Sequence, residues 1–121
     1  MAEHNELGTK GEELAKNFLI NKGYKILETN WRLGSYEIDI IASFKSFIII
    51  AEVKTRSSNS FGEPEEFVNK QKQKKLIKAA SAYVCRNKIE NEVRFDIISV
   101  LIYGNNVKIN HLEDAFYPTL N

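Results

Sequence analysis

Two apolar stretches of the chain each carry a pair of charged residues at alternate positions. Glu37 and Asp39 lie in one stretch, and Glu52 and Lys54 lie in the next. Residues two apart in an extended strand project from the same face, so each pair shares a face. An unpaired buried charge costs several kcal/mol, so charges in such strands need partners or a ligand. If the two strands are neighbours, two carboxylates and an ammonium converge.

This set of side chains suits metal-assisted hydrolysis. Asp39 and Glu52 could share a divalent cation, because Mg²⁺ and Mn²⁺ prefer hard oxygen ligands. Lys54 could hold or deprotonate a water molecule near that metal, and such a site can cleave a phosphodiester. Zinc is a poor candidate, because His4 and His111 lie near opposite ends of the chain without ligand spacing. Each histidine is predicted to be a surface residue.

The same residues also have a purely structural interpretation. Lys54 could form ordinary cross-strand ion pairs with Asp39 or Glu52 at the end of a sheet. The spacing D-x(12)-E-x-K is weakly specific by itself. Its position favours a site, because the Glu-x-Lys follows an apolar strand and a helix carrying Glu12 precedes both strands. On the residues alone, both interpretations stay open.

The first element that must position these residues is a helix. Apolar residues recur at helical spacing before Gly23, where the helix is predicted to stop. Its start is predicted at Thr9, where Glu12 three positions on completes a capping box, or earlier, near Glu6. A second helix is predicted from about Pro64 or Asn69 to Asn87, after a Ser/Gly/Pro loop at 57–64.

Five strands are predicted between and after these helices. Their ranges are 24–31, 36–43, 46–56, 93–102 and 107–114. The third contains the apolar run Phe47 to Ala51 without alternation, which indicates a central strand covered on both faces. The order α-β-β-β-α-β-β predicts one α/β domain, residues 1–121, with helices flanking a central mixed sheet of about five strands. The third strand, second helix and fourth strand predict a parallel crossover.

Composition and charge limit which classes of protein this chain can belong to. A chain of 121 residues, 43% hydrophobic and 27% charged, is typical of one folded domain. The net charge of +1 hides an asymmetry, because residues 54–88 carry nine basic and three acidic side chains. Five lysines there form a basic run that is either a solvated helix face or a phosphate-binding surface. They are Lys70, Lys72, Lys74, Lys75 and Lys78.

The remaining composition favours the cytoplasm. No apolar run approaches the length needed to cross a bilayer, and the polar start MAEHNELGTK lacks the apolar stretch of a signal peptide. No membrane association is therefore predicted. The single cysteine, Cys85, permits no internal disulfide and is predicted to be a small buried group on the second helix.

Taken together, these segments resemble a known family. The chain is similar to the YraN-like family of the PD-(D/E)XK, or restriction-endonuclease-like, nuclease superfamily, which in turn is similar to archaeal Holliday-junction resolvases. The resemblance covers nearly the whole chain. It is carried by 8–15 (GTKGEELA), 23–27 (GYKIL), 30–32 (NWR), 37–42 (EIDIIA), 52–56 (EVKTR), 61–62 (FG), Lys72, 79–80 (AA) and 94–96 (RFD).

The resemblance implies roles for individual residues. It implies a restriction-endonuclease-like fold in which Asp39, Glu52 and the backbone carbonyl of Val53 bind Mg²⁺ or Mn²⁺. Lys54 would act on the attacking water or the scissile phosphate, and Glu12 would complete the acidic site. These assignments are expectations carried over from the family pattern.

The resemblance also bears on the flanking residues. Glu37 matches a family glutamate whose role is less clear, and Tyr36 replaces the family's usual glycine. The partner implied is DNA, including branched DNA, with Arg56 beside the strand being cut. Homodimerisation is allowed, because junction resolvases act as twofold pairs. The second helix would lie beside the DNA groove, which makes the basic run a set of backbone contacts: Lys70, Lys72, Lys74, Lys75 and Lys78.

Three functional hypotheses follow. The first is a metal-dependent endonuclease that hydrolyses DNA. The alternative is a nucleic-acid-binding or scaffolding protein that keeps the nuclease fold with little activity of its own. The third is a protein–protein interaction domain with ordinary ion pairs. Retention of Asp39, Glu52 and Lys54 favours the first over the second, since a degenerate site would lose at least one of them.

Overall fold

A computed structural model describes residues 2–57 and 68–118, with side chains described from residue 6 onward. Within these ranges, two helices and five strands follow one another in the predicted order α-β-β-β-α-β-β. The elements are α1 (Ala2–Asn21), β1 (Lys25–Leu33), β2 (Tyr36–Phe44), β3 (Phe47–Ser57), α2 (Lys70–Arg86), β4 (Glu92–Tyr103) and β5 (Asn106–Phe116).

The five strands form one mixed sheet in the order β1-β2-β3-β4-β5. Neighbouring strands are antiparallel except β3 and β4, which are parallel. A parallel pair needs a long crossover connection, and α2 lies within it, as predicted. The prediction of an α/β fold with a five-stranded mixed sheet is therefore confirmed.

The sheet carries a hydrophobic layer on each face. Ile49 and Ala51 of β3 pack with Leu19 of α1 on one face, whereas Ile48 and Ile50 pack with α2 residues on the other. Because β3 is the central strand and both of its faces are covered, its sequence has no polar alternation. The interpretation of this apolar run is confirmed, and β3 is a rigid base for the charged residues that follow it.

The predicted start of α1 and the predicted burial of Cys85 were wrong, whereas one predicted start of α2 was right. Helix α1 begins at Ala2, so Thr9 lies inside the helix and does not cap it. The alternative start of α2 at Asn69 is confirmed, because the helix begins at Lys70 and Asn69 caps it by accepting a hydrogen bond from the Lys72 N–H at 2.9 Å. The other alternative, Pro64, lies outside the described residues. Cys85 is exposed, because it lies on the solvent side of α2. Most of the predicted loop, at 58–64, falls outside the described residues.

Two glycines of α1 have opposite surroundings. Gly11 is buried against β3, and a Cβ built there would overlap the Thr55 side chain, with Cγ2 only 2.6 Å away. The helix backbone thus lies directly on the strand, which sets the position of the adjacent Glu12. A Cβ at Gly8 would meet nothing within 4 Å.

These surroundings predict opposite effects for two glycine-to-alanine changes. Gly11→Ala is expected to lower the free energy of unfolding by about 1–3 kcal/mol, because the added methyl group displaces α1 from β3. Gly8→Ala, the matched control, is expected to raise it by about 0.5–1 kcal/mol, because alanine favours the helix. Urea unfolding measures both, and equal stability of the two variants would show that α1 does not lie so close to β3.

Candidate active site

The candidate site lies where β2 and β3 separate. Their ladder ends at the pair Ile40 and Ala51, although both strands continue beyond it. At this point, named the fork from here on, Asp39 Oδ2 accepts a hydrogen bond from the backbone N–H of Val53 at 2.8 Å. The carboxylate therefore takes the place of a strand carbonyl. At the fork β2 remains paired with β1, and β3 remains paired with β4. Each strand of the fork is therefore held in place by its other neighbour in the sheet.

The backbone of Val53 presents an acceptor to the fork. In an extended strand the N–H and C=O of one residue point toward the same neighbouring strand. Because the Val53 N–H points at Asp39, the Val53 carbonyl also faces the fork. The residues Asp39 and Val53, assigned together to a metal by family resemblance, are thus adjacent in space.

Glu52 lies on β3, the second strand of the fork, and its side chain is nearly buried, with 5% exposed. Its Oε2 lies 2.7 Å from Lys72 Nζ and 3.5 Å from Lys54 Nζ. Two ammonium groups therefore surround one carboxylate oxygen. The predicted pairing of Glu52 with Lys54 is observed, whereas Lys72, assigned only to DNA contact, reaches into the site from the first turn of α2.

Glu12 approaches the fork from α1. Its Oε1 accepts a hydrogen bond from Asn30 Nδ2 at 2.8 Å. Asn30 has a positive φ of 52°, a conformation that asparagine adopts more readily than most residues. Glu12, Asn30 and Asp39 line one small cleft of about 80 Å³ with Thr9. The helix glutamate predicted for the acidic site is therefore beside Asp39.

The acidic side chains around the fork repel one another. Burial, and then the negative charge of Glu52, raises the pKa of Asp39 from 3.8 to about 8, although the Val53 N–H opposes this. Burial also raises the pKa of Glu12 against its hydrogen bond from Asn30, and the charge of Glu37 adds to the increase. Burial and mutual repulsion thus both oppose the charged forms of these two carboxyl groups, which a bound cation would favour.

The pKa values of Lys54 and Lys72, the two lysines beside Glu52, shift in opposite directions. Partial burial and the neighbouring Lys72 lower the pKa of Lys54, although the charge of Glu52 opposes them. Partial burial also disfavours charged Lys72, but its hydrogen bond to Glu52 outweighs burial and raises the pKa of Lys72. Of the two, Lys54 is therefore the lysine that more readily gives up its proton.

No three His, Cys, Asp or Glu side chains within the described ranges form a ready-made metal site. The donor set nevertheless fits a hard divalent cation, because Asp39, Glu52 and the Val53 carbonyl all present oxygen atoms. The hydroxyl of Tyr36 adds a buried donor without a hydrogen-bond partner among the described residues, and its pKa is raised by burial and by the charges of Glu52 and Asp39. At present Lys72 and Lys54 neutralise Glu52 where a cation would.

The other predicted site residues lie around this centre. Glu37 forms an ion pair with its cross-strand partner Arg32 at 3.3 Å and contributes only its charge to the fork. Arg56 is half-buried near the end of β3. Lys75 lines a cleft of about 250 Å³ with Tyr36 and Lys72. Three lysines of the run line a different cleft, so the basic run does not form one surface: Lys70, Lys74 and Lys78.

A second buried polar cluster was missed. The side chain of His111 is only 2% exposed, and its Nε2 lies 2.7 Å from Asp96 Oδ2, so the prediction of a surface histidine was wrong. Asp96 also accepts hydrogen bonds from Arg94 at 2.8 and 2.9 Å and from the Asp114 N–H at 3.0 Å. The sequence did contain a signal for this cluster, because Asp96, like Asp39, is a carboxylate within an apolar strand. This cluster joins β4 to β5.

Fold and fork together define an α/β protein with carboxylates gathered where two central strands of its sheet diverge. The chain belongs to the family described as Uncharacterised protein family UPF0102, whose model matches residues 11–100. A UPF0102 protein of Flavobacterium psychrophilum is 53% identical over 97% of this chain and 98% of its own length. One of Thermodesulfovibrio yellowstonii is 52% identical over 93% of this chain and 96% of its own length.

Neither helix in the described ranges is long and apolar enough to span a bilayer.

The raised pKa of Asp39 predicts a pH-dependent stability. Because the folded state binds this proton more tightly than the unfolded chain, the contribution is full below about pH 4 and is lost as pH rises toward 8. In EDTA, wild type should lose up to about 1.4 kcal/mol of unfolding free energy per pH unit relative to Asp39→Asn. Urea unfolding at several pH values measures the difference, and parallel curves for the two proteins would contradict the burial of this carboxyl.

Proposed function

We propose that this protein is a metal-dependent endonuclease that hydrolyses phosphodiester bonds in DNA, including branched DNA. The observation that carries this proposal is the fork, where Asp39, Glu52 and Lys54 meet on a rigid sheet. Carboxyl groups gathered at such a place favour a divalent cation, and the raised pKa of Asp39 supports this. Assignment to the PD-(D/E)XK superfamily is part of the same proposal.

The proposed metal is Mg²⁺ or Mn²⁺, held by Asp39, Glu52 and the Val53 carbonyl. When bound, it would supply charge neutralisation for the transition state and an acidified water. The protein's contribution is to keep the ligands at the end of a covered central strand, where burial strengthens every charge interaction. Glu12, oriented by Asn30, adds a further carboxylate to the same cleft.

The remaining side chains would act on the water and the phosphate. Lys54, whose pKa is lowered, would take a proton from the attacking water or hold it in place. The Tyr36 hydroxyl, which has no hydrogen-bond partner in the described part of the chain, would donate a hydrogen bond to a phosphate oxygen beside Lys72. Lys72 would leave Glu52 when the cation binds and would then be free to contact the same phosphate.

A second candidate function is nucleic-acid binding or scaffolding without cleavage. One observation favours it: Lys72 and Lys54 already neutralise Glu52. In that case the lysines would be structural ion-pair partners and the basic side of α2 would be the functional surface. A homodimer, which would place two forks on two strands of a junction, is compatible with either function.

A substrate screen separates the two functions. Purified protein is incubated with branched, nicked, linear and single-stranded DNA in Mg²⁺ or Mn²⁺, and parallel reactions contain EDTA. The endonuclease proposal predicts cleavage that requires the divalent cation. Binding to the same substrates without cleavage under every metal condition would favour the scaffolding function. Cleavage that persists in EDTA would contradict a metal-dependent site.

A further inference from the structure

A second cleft lies on the other side of α2, outside the candidate active site. It has a volume of about 620 Å³ and is formed between α2 and the segment that follows β5. Lys70, Lys74 and Lys78 line the helix side, and Tyr117 lines the opposite side. The tyrosine is separated from the lysines by about forty residues of sequence, so only the fold brings an aromatic ring to the basic run.

The lysines of this cleft indicate an anionic ligand. They follow one another at intervals of four residues, and all three are exposed. Like charges at this spacing destabilise a helix, and the first turn of α2 contains lysines but no acidic residue, which opposes the helix dipole. No Asp or Glu of the described residues lines the cleft. Phosphate groups would relieve a repulsion that the described part of the protein leaves uncompensated.

Tyr117 indicates which kind of anion. Its side chain is 65% exposed, the largest exposure among the large hydrophobic residues described. An exposed aromatic ring beside a basic groove is the usual platform for single-stranded nucleic acid, because an unpaired base stacks on the ring while lysines track the backbone. A duplex hides the faces of its bases within the helical stack, so it offers Tyr117 nothing to stack on.

We propose that this cleft, named the strand cleft, binds unpaired nucleotides, with phosphates on Lys70, Lys74 and Lys78 and a base stacked on Tyr117. The proposal deepens the proposed function, on which it rests, by naming single-stranded segments as part of the substrate. Lys70 lies two residues before Lys72, which contacts Glu52. A strand held in the cleft therefore reaches the same end of α2 as the fork. Branched DNA with unpaired nucleotides fits both surfaces.

Fluorescence anisotropy tests the strand cleft without any catalysis. Labelled oligothymidylate and a duplex of equal length are titrated in EDTA with wild type, Tyr117→Ala and Tyr117→Phe. Tyr117→Ala is expected to weaken binding of the single strand roughly tenfold and to leave duplex binding within about twofold, because one stacked base is lost. Tyr117→Phe keeps the ring and is expected to bind like wild type. The matched control is Tyr103→Ala, because Tyr103 is also an exposed tyrosine and lies at the end of β4.

Salt dependence tests the lysine side of the cleft. Replacing Lys74 with Ala is expected to reduce the slope of log affinity against log salt by about 0.7 for the single strand.

Equal binding of the single strand by wild type and Tyr117→Ala would overturn the strand cleft, and so would equal losses for both oligonucleotides. Those results would leave the endonuclease proposal standing. Failure of wild type to bind the single strand at low salt would also overturn the strand cleft, whereas the endonuclease proposal is tested separately by the substrate screen in Mg²⁺ or Mn²⁺.

Discussion

Replacing Asp39 with Asn, or Glu52 with Gln, is expected to reduce metal-dependent cleavage of DNA by roughly a thousandfold, because each change removes an anionic ligand whose metal supplies several kcal/mol. Both substitutions preserve shape. In Asp39→Asn the side-chain amide oxygen would remain an acceptor for the Val53 N–H, so the fork should stay folded. Initial rates on the best substrate of the screen, measured in saturating Mn²⁺, give the comparison.

The matched control for these variants is Glu92→Gln. Glu92 is exposed and lies at the start of β4 beside Phe47, at the end of β3 away from the fork. This change should leave the cleavage rate within about twofold of wild type, because an exposed charge there does not face the fork. If Asp39→Asn and Glu52→Gln both cleave as fast as Glu92→Gln, the nuclease activity does not arise at the fork.

Replacing Asp96 with Ala is expected to lower the free energy of unfolding by about 3–5 kcal/mol, because it leaves the buried Arg94 guanidinium without a counter-charge and the His111 ring without its hydrogen-bond partner. The side chains of Arg94 and His111 are 11% and 2% exposed, and both contact Asp96. Hydrogen bonds from His111, Arg94 and the Asp114 N–H lower the pKa of Asp96 despite its burial. Its stabilisation is therefore present near neutral pH and is lost as pH falls through that lowered value.

The control for this change is Glu113→Ala. Glu113 belongs to the same cluster, at 3.5 Å from Lys22 and 3.8 Å from Arg94, but it is half exposed. Its removal should cost about 0–1 kcal/mol. Urea unfolding near neutral pH measures both variants. An Asp96→Ala protein as stable as Glu113→Ala would mean that the cluster does not hold β4 and β5 together.

Residue patterns predict much of the fold because most of it depends on local periodicity. The unbroken apolar run of β3 requires two covered faces, and Gly23, with φ of 96°, ends the first helix as predicted. The start of α1 was placed too late because Thr9 and Glu12 form a capping pattern, whereas the helix continues through both residues. A capping pattern within a continuous helix carries no positional information.

The candidate site was predictable where it depends on neighbouring strands and unpredictable where it depends on distant contacts. Alternation placed Glu52 and Lys54 together on one face, and the antiparallel pairing of β2 with β3 brought Asp39 to them. No local pattern shows that Lys72 reaches Glu52 or that Tyr117 closes a cleft with α2. Those contacts depend on how α2 crosses the sheet, which is a tertiary property.

The measurement that tests the central claim most directly is anomalous diffraction from crystals of the wild-type protein soaked in Mn²⁺. The endonuclease proposal predicts a Mn²⁺ peak at the fork, bound by Asp39, Glu52 and the Val53 carbonyl, with Lys72 displaced from Glu52. The same soak of Glu52→Gln should give a weaker peak or none. A fork without Mn²⁺, with Lys72 still paired to Glu52 at saturating metal, would contradict a metal-dependent active site in this protein.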